Sequence, residues 1–190
     1  INQLKYCIDI FEKEIKKQGL NIIGWRKVPV NSKVVGSIAA KTQPVIKQVF
    51  IGKNDKTLTD TEFNTKLFIA RKIAENEIYN SALHQKNYFY FSSLHNRTLI
   101  YKGLLIPEDI DRFYLDLKDP ELVTRLTLVH QRFSTNTFPT WDLAQPFRYM
   151  CHNGEINTIK GNVTRMNARE ELMKSEFIGD EIEKIFPTIL

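Results

Sequence analysis

The stretch at residues 147–162 reads FRYMCHNGEINTIKGN, and an Asn-Gly pair marks its change from a strand pattern to a helix pattern. Five strand-like residues lead into Asn153 and Gly154, and Asn-Gly is a strong turn signal. The residues after Gly154 have a helical period, because apolar side chains recur at steps of three and four: Ile156, Ile159, Val163 and Met166. The sequence therefore predicts a strand over 147–151 and a helix over about 156–174, joined by a turn whose N–H groups point outward.

The rest of the chain alternates between helix-like and strand-like segments. Apolar residues at helical spacing predict helices over 3–18 and 61–79, and Pro107 marks the first turn of a short one. Strands are predicted where apolar or alternating segments lie between turn residues: 20–30, 44–51, the hairpin 87–94 with 98–105, and 125–133. This mixture indicates a single α+β domain in which an antiparallel sheet packs against helices.

Composition and residue spacing argue against three classes of partner: nucleic acids, membranes and metal ions. The formal charge is +5, but the basic residues are spread along the chain and no nucleic-acid motif accompanies them. No run of eighteen apolar residues is present, which argues against a membrane span. The histidines show no paired spacing with cysteine or carboxylate that would indicate a zinc site: His84, His95, His130 and His152. We therefore expect no nucleic-acid, membrane or metal partner.

Two features are candidates for binding a ligand. Arg132 lies near the end of segment 125–133, where a guanidinium can hold a planar carboxylate with two parallel hydrogen bonds, the alternative being a structural ion pair. Gly154 lets a ligand approach the backbone, its N–H at a helix start points toward negative charge, and the Asn153 amide is a second donor. Two such donors form an oxyanion hole for an attacked carbonyl, whereas a plain turn or helix cap is the alternative.

The chain offers no convincing nucleophile. Cys7 lies on the apolar stripe of the first helix, which indicates core packing. Cys151 precedes His152 directly, and neighbouring strand residues point to opposite faces, so the two side chains cannot easily aim at each other. No serine lies in a G-x-S-x-G turn. The residues alone therefore indicate a binding pocket without a nucleophile.

Taken together, the motifs point to one protein family. The run HQRFSTNTFPTWDLAQPFRYMCHNGEINTIKGN resembles the glutamine amidotransferase domain of the glutamate synthase family, a class II, N-terminal-nucleophile (Ntn) amidotransferase. GWRKVPV, QPVIKQVFI and SSLHNRTLIYKG resemble further segments of that domain, so the likeness extends from about Gly24 to Glu170. It implies an Ntn-hydrolase four-layer αββα sandwich with antiparallel sheets, of which residues 1–190 would be an incomplete part.

The resemblance also implies roles for site residues. Arg132 matches the arginine that holds the α-carboxylate of glutamine, and Thr135 matches the threonine that lines the glutamine pocket. Asn153 and Gly154 match the oxyanion pair. One departure is Arg165, which stands where the family usually has Trp, outside the pocket motif.

In that family the nucleophile is a cysteine at the N-terminus of the mature protein, whose α-amino group serves as the base. Cys7 does not match it, and the matching segment would lie upstream of Ile1. The acidic residue that holds the substrate's amino group would follow Leu190. We therefore interpret the chain as an internal piece that lacks the nucleophile segment and the C-terminal remainder of the domain.

By resemblance, the intact protein hydrolyses L-glutamine to glutamate and ammonia, and the ammonia reacts with 2-oxoglutarate to give a second glutamate after reduction. FMN and a 3Fe–4S cluster are expected in its other domains and none in this chain, which has no cysteine cluster. Ferredoxin or an NADPH-oxidising subunit would supply the electrons. The resemblance places such a protein in the plastid stroma or the bacterial cytoplasm.

Two alternatives stay open at this point. Another class II amidotransferase would pass ammonia to a different acceptor, although the NTFPTW and GEINT segments argue against it. A non-catalytic glutamine-binding module would keep the pocket and lack the nucleophile.

Overall fold

A computed structural model describes residues 2–133, 138–154 and 158–189. Its helices and strands follow in this order: α1 (Gln3–Lys17), β1 (Leu20–Lys27), α2 (Ser37–Ala40), β2 (Lys47–Lys53), α3 (Asp60–Tyr79), α4 (Ile110–Phe113) and α5 (Ile159–Glu170). Short 3-10 turns lie at Ser32–Val34, Lys86–Tyr88, Pro107–Asp109, Leu115–Lys118 and Gly179–Ile185. None of the described helices is long and apolar enough to cross a membrane.

The chain divides into two compact units. The first unit contains Ile1–Gly24, Phe50–Arg97 and Ile156–Leu190, and the second contains Trp25–Val49 and Thr98–Glu155. Each unit is assembled from segments that are distant in the sequence. The residues singled out as site candidates, Arg132, Asn153 and Gly154, all belong to the second unit.

In the first unit, the helix predicted over 3–18 is confirmed as α1. The side chain of Asn2 caps it by accepting a hydrogen bond from the Lys5 N–H at 3.2 Å. Gly19 follows its end with a φ of +70°, a left-handed conformation that favours glycine. The apolar stripe of α1 is buried, and α1 packs against α3: Cys7, Ile10, Phe11 and Ile15.

The helix predicted over 61–79 is also confirmed, as α3. It begins with a capping box, in which Thr59 Oγ1 accepts from the Glu62 N–H at 3.2 Å and the Glu62 carboxylate accepts from the Thr59 N–H at 2.8 Å. Its buried apolar residues include Phe63, Leu67 and Ala70. Both long helices therefore follow from local signals, namely apolar spacing and caps.

The two strands pair as an antiparallel ribbon, which confirms the predicted strands near 20–30 and 44–51 with shifted bounds. The Val28 N–H donates to the Ile46 carbonyl at 3.1 Å, and the Asn54 side-chain amide donates to the Gly19 carbonyl at 3.1 Å. Partner numbers fall as the β1 numbers rise, which is the antiparallel arrangement. Helices together with a small antiparallel sheet make the described fold α+β.

The core of the second unit is a cluster of aromatic residues around Trp141, which is 4% exposed. Phe113 packs against both Tyr114 and Trp141, with ring centroids 4.7 Å and 5.7 Å apart. Trp141 also lies so close to Gly103 that a Cβ there would be 2.5 Å from the indole ring. The glycine is therefore required by this close approach. The indole N–H donates to the Ala39 carbonyl at 3.0 Å, so the buried ring leaves its polar atom satisfied.

Four predicted strand segments are not strands in the structure. The segments 87–94, 98–105 and 125–133 have irregular backbone, apart from the 3-10 turn at Lys86–Tyr88. Residues 147–151 form a tight turn with a single antiparallel bridge between Phe147 and Met150. Among the described residues the only sheet has two strands, so the four-layer arrangement is not formed by them.

The reason is that strands need hydrogen-bonding neighbours as well as a suitable pattern. None of the described residues makes a backbone–backbone hydrogen bond to 123–133. Its apolar side chains are exposed accordingly, with Val123 at 83% and Leu126 at 84%. An alternating segment without a neighbouring strand gains neither the ladder hydrogen bonds nor the burial that stabilise a sheet.

The helix predicted over about 156–174 is shorter and begins later, as α5 at Ile159. Gly154 therefore lies outside its first turn, and the predicted placement of the Gly154 N–H at a helix start is wrong. The helix dipole falls off within the first turn, so it cannot orient a ligand at Gly154.

We predict that Gly103→Ala destabilises the second unit by roughly 1–3 kcal/mol, because the added methyl group would overlap the Trp141 ring. Gly36→Ala in the same unit is the matched control, since nothing lies within 4 Å of a Cβ at Gly36. Urea unfolding monitored by tryptophan fluorescence measures both changes. Equal unfolding midpoints for the two variants would contradict the close packing.

Candidate functional site

The loop that carries the candidate site is anchored at its start by Trp141 and by Lys102. The Lys102 ammonium donates to the Asp142 carbonyl at 2.5 Å and lies 4.8 Å from the centre of the Phe147 ring. Lys102 itself is held, because its carbonyl accepts a hydrogen bond from the Tyr114 hydroxyl at 2.7 Å. The segment from Trp141 to Phe147 is therefore attached to the aromatic core of its unit.

The Lys102 ammonium is buried, with 6% of the residue exposed. Burial lowers its pKa from 10.5 to about 8, and the nearby Asp142 carboxylate opposes that shift. A buried ammonium is costly, and here the carbonyl of Asp142 and the face of the Phe147 ring partly compensate for the lost water.

After Phe147 the chain turns back on itself within four residues. The N–H groups of Phe147 and Met150 each donate to the other's carbonyl at 2.8 Å, and Arg148 adopts a φ of +48° in the turn. Continuing this antiparallel register outward, the next hydrogen-bonded pair would be Gln145 with His152. At that pair a side chain makes the bonds. Gln145 Oε1 accepts from the His152 N–H at 2.7 Å, and Gln145 Nε2 donates to the His152 carbonyl at 3.0 Å.

Asn153 and Gly154 follow directly on this held residue, and both are exposed. The His152 Nδ1–H donates to the Gly154 carbonyl at 3.0 Å, which fixes the far side of the pair. Within the described part of the chain, nothing accepts a hydrogen bond from the Gly154 N–H or from the Asn153 side-chain amide. Packing does not demand glycine at position 154, since a Cβ would meet only His152 Nδ1 at 3.6 Å. Two donors are thus left open beside a fixed backbone.

Arg132 is exposed in the irregular segment 125–133. No described side chain forms an ion pair or hydrogen bond with its guanidinium, so the structural ion pair considered as an alternative is not found among the described residues. Arg132 belongs to the same unit as Asn153 and Gly154 but has no direct hydrogen bond to either. Thr135 lies outside the described residues, so its predicted role stays a prediction.

Neither cysteine is placed as a nucleophile for this pair. Cys7 is 7% exposed in the core of the other unit, and burial raises the pKa of its thiol, which favours the unreactive protonated form. Cys151 is half-buried at the end of the tight turn. Among the described residues no group of three or more His, Cys, Asp or Glu side chains is placed to hold a metal ion. The chain's two cysteines do not fit an iron–sulfur cluster, which needs several thiolates at one point.

Two residues that matter for the site's geometry escaped sequence reasoning, Gln145 and Lys102. For Gln145 the spacing from His152 becomes informative only once the turn is known to lie at Arg148 and Tyr149, and the sequence predicted a strand there. For Lys102 we find no sequence signal, since nothing in the pattern of 98–105 marks it as buried.

Comparison with known proteins identifies related chains. The family model for class-II glutamine amidotransferases matches residues 1–190. The chain is 47% identical over 175 residues to the glutamate synthase [NADPH] large chain of Bacillus subtilis, covering 92% of this chain and 11% of that protein. It is 41% identical to the glutamate synthase [NADH] of Saccharomyces cerevisiae, covering 96% of this chain and 8% of that one.

A third relative is the ferredoxin-dependent glutamate synthase 1, chloroplastic/mitochondrial, of Arabidopsis thaliana. It is 42% identical over 178 residues, covering 94% of this chain and 11% of that protein. The chain therefore spans about a tenth of the length of these relatives, which include bacterial and chloroplastic forms.

We predict that the stabilising contribution of Lys102 rises with pH. Because the Lys102 pKa is lowered to about 8 in the folded protein, the unfolded chain binds more protons between about pH 8 and 10.5. The free energy of unfolding then rises with pH across that window, by roughly 2–4 kcal/mol for a shift of this size. The measurement is urea unfolding of the natural chain and of Lys102→Met at several pH values.

The difference in unfolding free energy between the natural chain and Lys102→Met should grow in favour of the natural chain as the pH rises. Lys47→Met is the matched control, because Lys47 also lies over an aromatic ring, that of Trp25 at 5.7 Å, but is exposed. A difference that stays flat for Lys102→Met, as for the control, would contradict the burial of this ammonium.

Proposed function

The chain belongs to the class-II glutamine amidotransferases, and from this membership we propose that it supplies the glutamine pocket and the oxyanion donors of a glutamate synthase. The reaction proposed for its site is hydrolysis of L-glutamine to glutamate and ammonia. The observation that carries the proposal is the pair Asn153 and Gly154, whose donors stay open beside the held backbone of His152.

The proposed mechanism begins when a cysteine thiolate attacks the side-chain amide carbon of glutamine. A C–S bond forms and the carbonyl electron pair moves onto oxygen, where the Asn153 amide and the Gly154 N–H stabilise the negative charge. The oxyanion then collapses, the proton that the base removed from the thiol passes to the amide nitrogen, the C–N bond breaks and ammonia leaves. Water hydrolyses the thioester to glutamate and restores the thiol.

We propose that this cysteine lies outside the 190 residues, at the N-terminus of the mature protein, with its own α-amino group as base. The buried, protonated thiol of Cys7 supports an outside nucleophile. The position of Cys151 also supports an outside nucleophile, because Cys151 follows the tight turn and precedes Asn153 and Gly154 in the chain. A non-catalytic binding module remains the outcome to be expected if the full-length protein has no such cysteine.

Arg132 is proposed to bind the α-carboxylate of glutamine. Its exposed guanidinium supports this role, since a bound carboxylate would supply a counter-charge that none of the described side chains supplies. Thr135 is proposed to line the same pocket, on the resemblance alone. The acidic residue for the amino group of glutamine is proposed to follow Leu190.

For the complete domain we propose the four-layer αββα sandwich of Ntn hydrolases. The exposed apolar side chains of 122–129 support it, because an alternating segment of this kind is stabilised by a neighbouring strand. The partners proposed are the other domains of the same polypeptide, which would bind FMN and a 3Fe–4S cluster. Ferredoxin or an NADPH-oxidising subunit is proposed as electron donor, and the plastid stroma or bacterial cytoplasm as location.

The oxyanion role predicts a selective loss of turnover. In the full-length protein, Asn153→Ala should lower kcat for glutamine hydrolysis by roughly two to three orders of magnitude, because one of two donors to the oxyanion is lost. Ammonia release measured over a range of glutamine concentrations gives kcat and KM separately. Asn31→Ala is the control, because Asn31 is a half-buried asparagine of the same unit whose side chain caps a 3-10 turn. An unchanged kcat for Asn153→Ala would remove the oxyanion assignment.

The proposed binding role of Arg132 predicts the opposite pattern, in which KM changes more than kcat. Arg132→Ala should raise the KM for glutamine by roughly 10- to 100-fold with a smaller effect on kcat, because a charged hydrogen-bonding partner of the α-carboxylate is removed. Arg125→Ala, an exposed arginine seven residues earlier in the same segment, should leave both constants close to those of the natural protein. Equal KM values for the two variants would refute the assignment of Arg132.

A further inference from the structure

The tight turn at 147–150 begins an antiparallel pattern of backbone hydrogen bonds. The backbone of Gln145 does not continue this pattern. Phe147 and Met150 form one hydrogen-bonded pair. Continued outward, a regular antiparallel register would place Pro146 opposite Cys151 at a non-hydrogen-bonded position and Gln145 opposite His152 at the next hydrogen-bonded one. Pro146 has no N–H to contribute, and at this position none is required. At the third pair the Gln145 side-chain amide, with its own donor and acceptor, makes the two bonds to His152.

The hydrogen bonds of the Gln145 side chain and of the His152 ring hold the peptide groups on both sides of the Gly154 N–H, the proposed oxyanion donor. The His152 N–H belongs to the peptide group before His152 and its carbonyl to the peptide group after it, and Gln145 binds both. The carbonyl of Gly154 is bound by the His152 ring. The peptide group between Asn153 and Gly154 thus lies between bound neighbours, while its own N–H has no acceptor among the described residues.

We infer that Gln145 is a positioning residue for glutamine hydrolysis: its amide takes the place of a strand neighbour and aims the Asn153–Gly154 peptide group at the oxyanion. The inference rests on the proposed function of Asn153 and Gly154 as the oxyanion pair. It goes beyond that proposal because Gln145 touches neither the substrate nor the oxyanion and acts through the backbone of His152.

The same geometry separates a positioning role from a merely stabilising one. Loss of general stability would lower the folded fraction and leave both the kcat per folded molecule and the KM unchanged. Loss of orientation at the donors would lower kcat and spare KM, because glutamine is held by Arg132. Misplacing a catalytic group by about 1 Å can cost on the order of 100-fold in rate.

The test is Gln145→Glu in the full-length protein, with Gln43→Glu as matched control. Gln43 lies in the same unit and its side-chain amide donates to Ser32 Oγ at 2.9 Å, at a distance in sequence from the proposed donors. An ionised glutamate at 145 accepts from the His152 N–H but cannot donate to the His152 carbonyl. Its protonated form has the missing donor, so acidification restores the second bond.

The expected result is a kcat roughly 10- to 100-fold below that of Gln43→Glu at pH 8, with KM for glutamine within about twofold. The ratio of the two kcat values should recover toward one as the pH falls to about 5, toward the range in which a glutamate is protonated. Gln145→Ala should show the same loss of kcat at pH 8 without the recovery. Each kcat is referred to the folded fraction determined by urea unfolding.

Equal kcat values for Gln145→Glu and Gln43→Glu at every pH would overturn the inference, as would a loss that does not depend on pH. Asn153→Ala measured in parallel separates this failure from that of the proposed function. A loss of kcat in Asn153→Ala with none in Gln145→Glu removes only the positioning role. An unchanged kcat in Asn153→Ala removes the oxyanion pair and the positioning role together.

Discussion

The indole ring of Trp141 lies on Gly103 at a distance that no side chain at position 103 would permit, and its N–H is satisfied by a backbone carbonyl. This contact buries the first residue of the loop that later carries the donor pair. Lys102, the neighbour of Gly103, adds a second attachment through its ammonium. The loop between these anchors and Gly154 therefore begins from the aromatic core of its unit, and its later geometry depends on that fixed start.

Further along the loop, hydrogen bonds to backbone groups hold the chain around the donor pair, Asn153 and Gly154. The Gln145 amide and the His152 ring together satisfy one N–H and two carbonyls around Asn153 and Gly154. Donors that are fixed before the reaction cost no reorganisation when charge develops, which is the physical requirement for an oxyanion site. Arg132 contrasts with them, because it is exposed on irregular backbone and binds no described side chain. Under the proposed function, the loop orients the oxyanion donors and the arginine binds the carboxylate of the substrate.

The sequence predicts the parts of this chain that depend on local signals. Apolar spacing and caps place α1 and α3. The turn predicted at Asn153 and Gly154 is wrong, because the tight turn of this segment lies at 147–150. The strands predicted over 98–105 and 125–133 are wrong, because alternation describes the segment and says nothing of a neighbour to pair with it. The contact made by Gln145 escapes prediction since it depends on a side chain substituting for backbone in a hairpin register. The resemblance of the motifs supplies the family, which the comparisons confirm.

The central claim is that these residues provide the glutamine pocket and the oxyanion donors while the nucleophile lies elsewhere in the polypeptide. The most direct measurement is covalent labelling of the full-length protein with a diazo-ketone analogue of glutamine, followed by peptide mass spectrometry. The account predicts one adduct, on a cysteine other than Cys7 and Cys151, which excess L-glutamine prevents. An adduct on Cys151, or no adduct on a folded protein that binds glutamine, would contradict it.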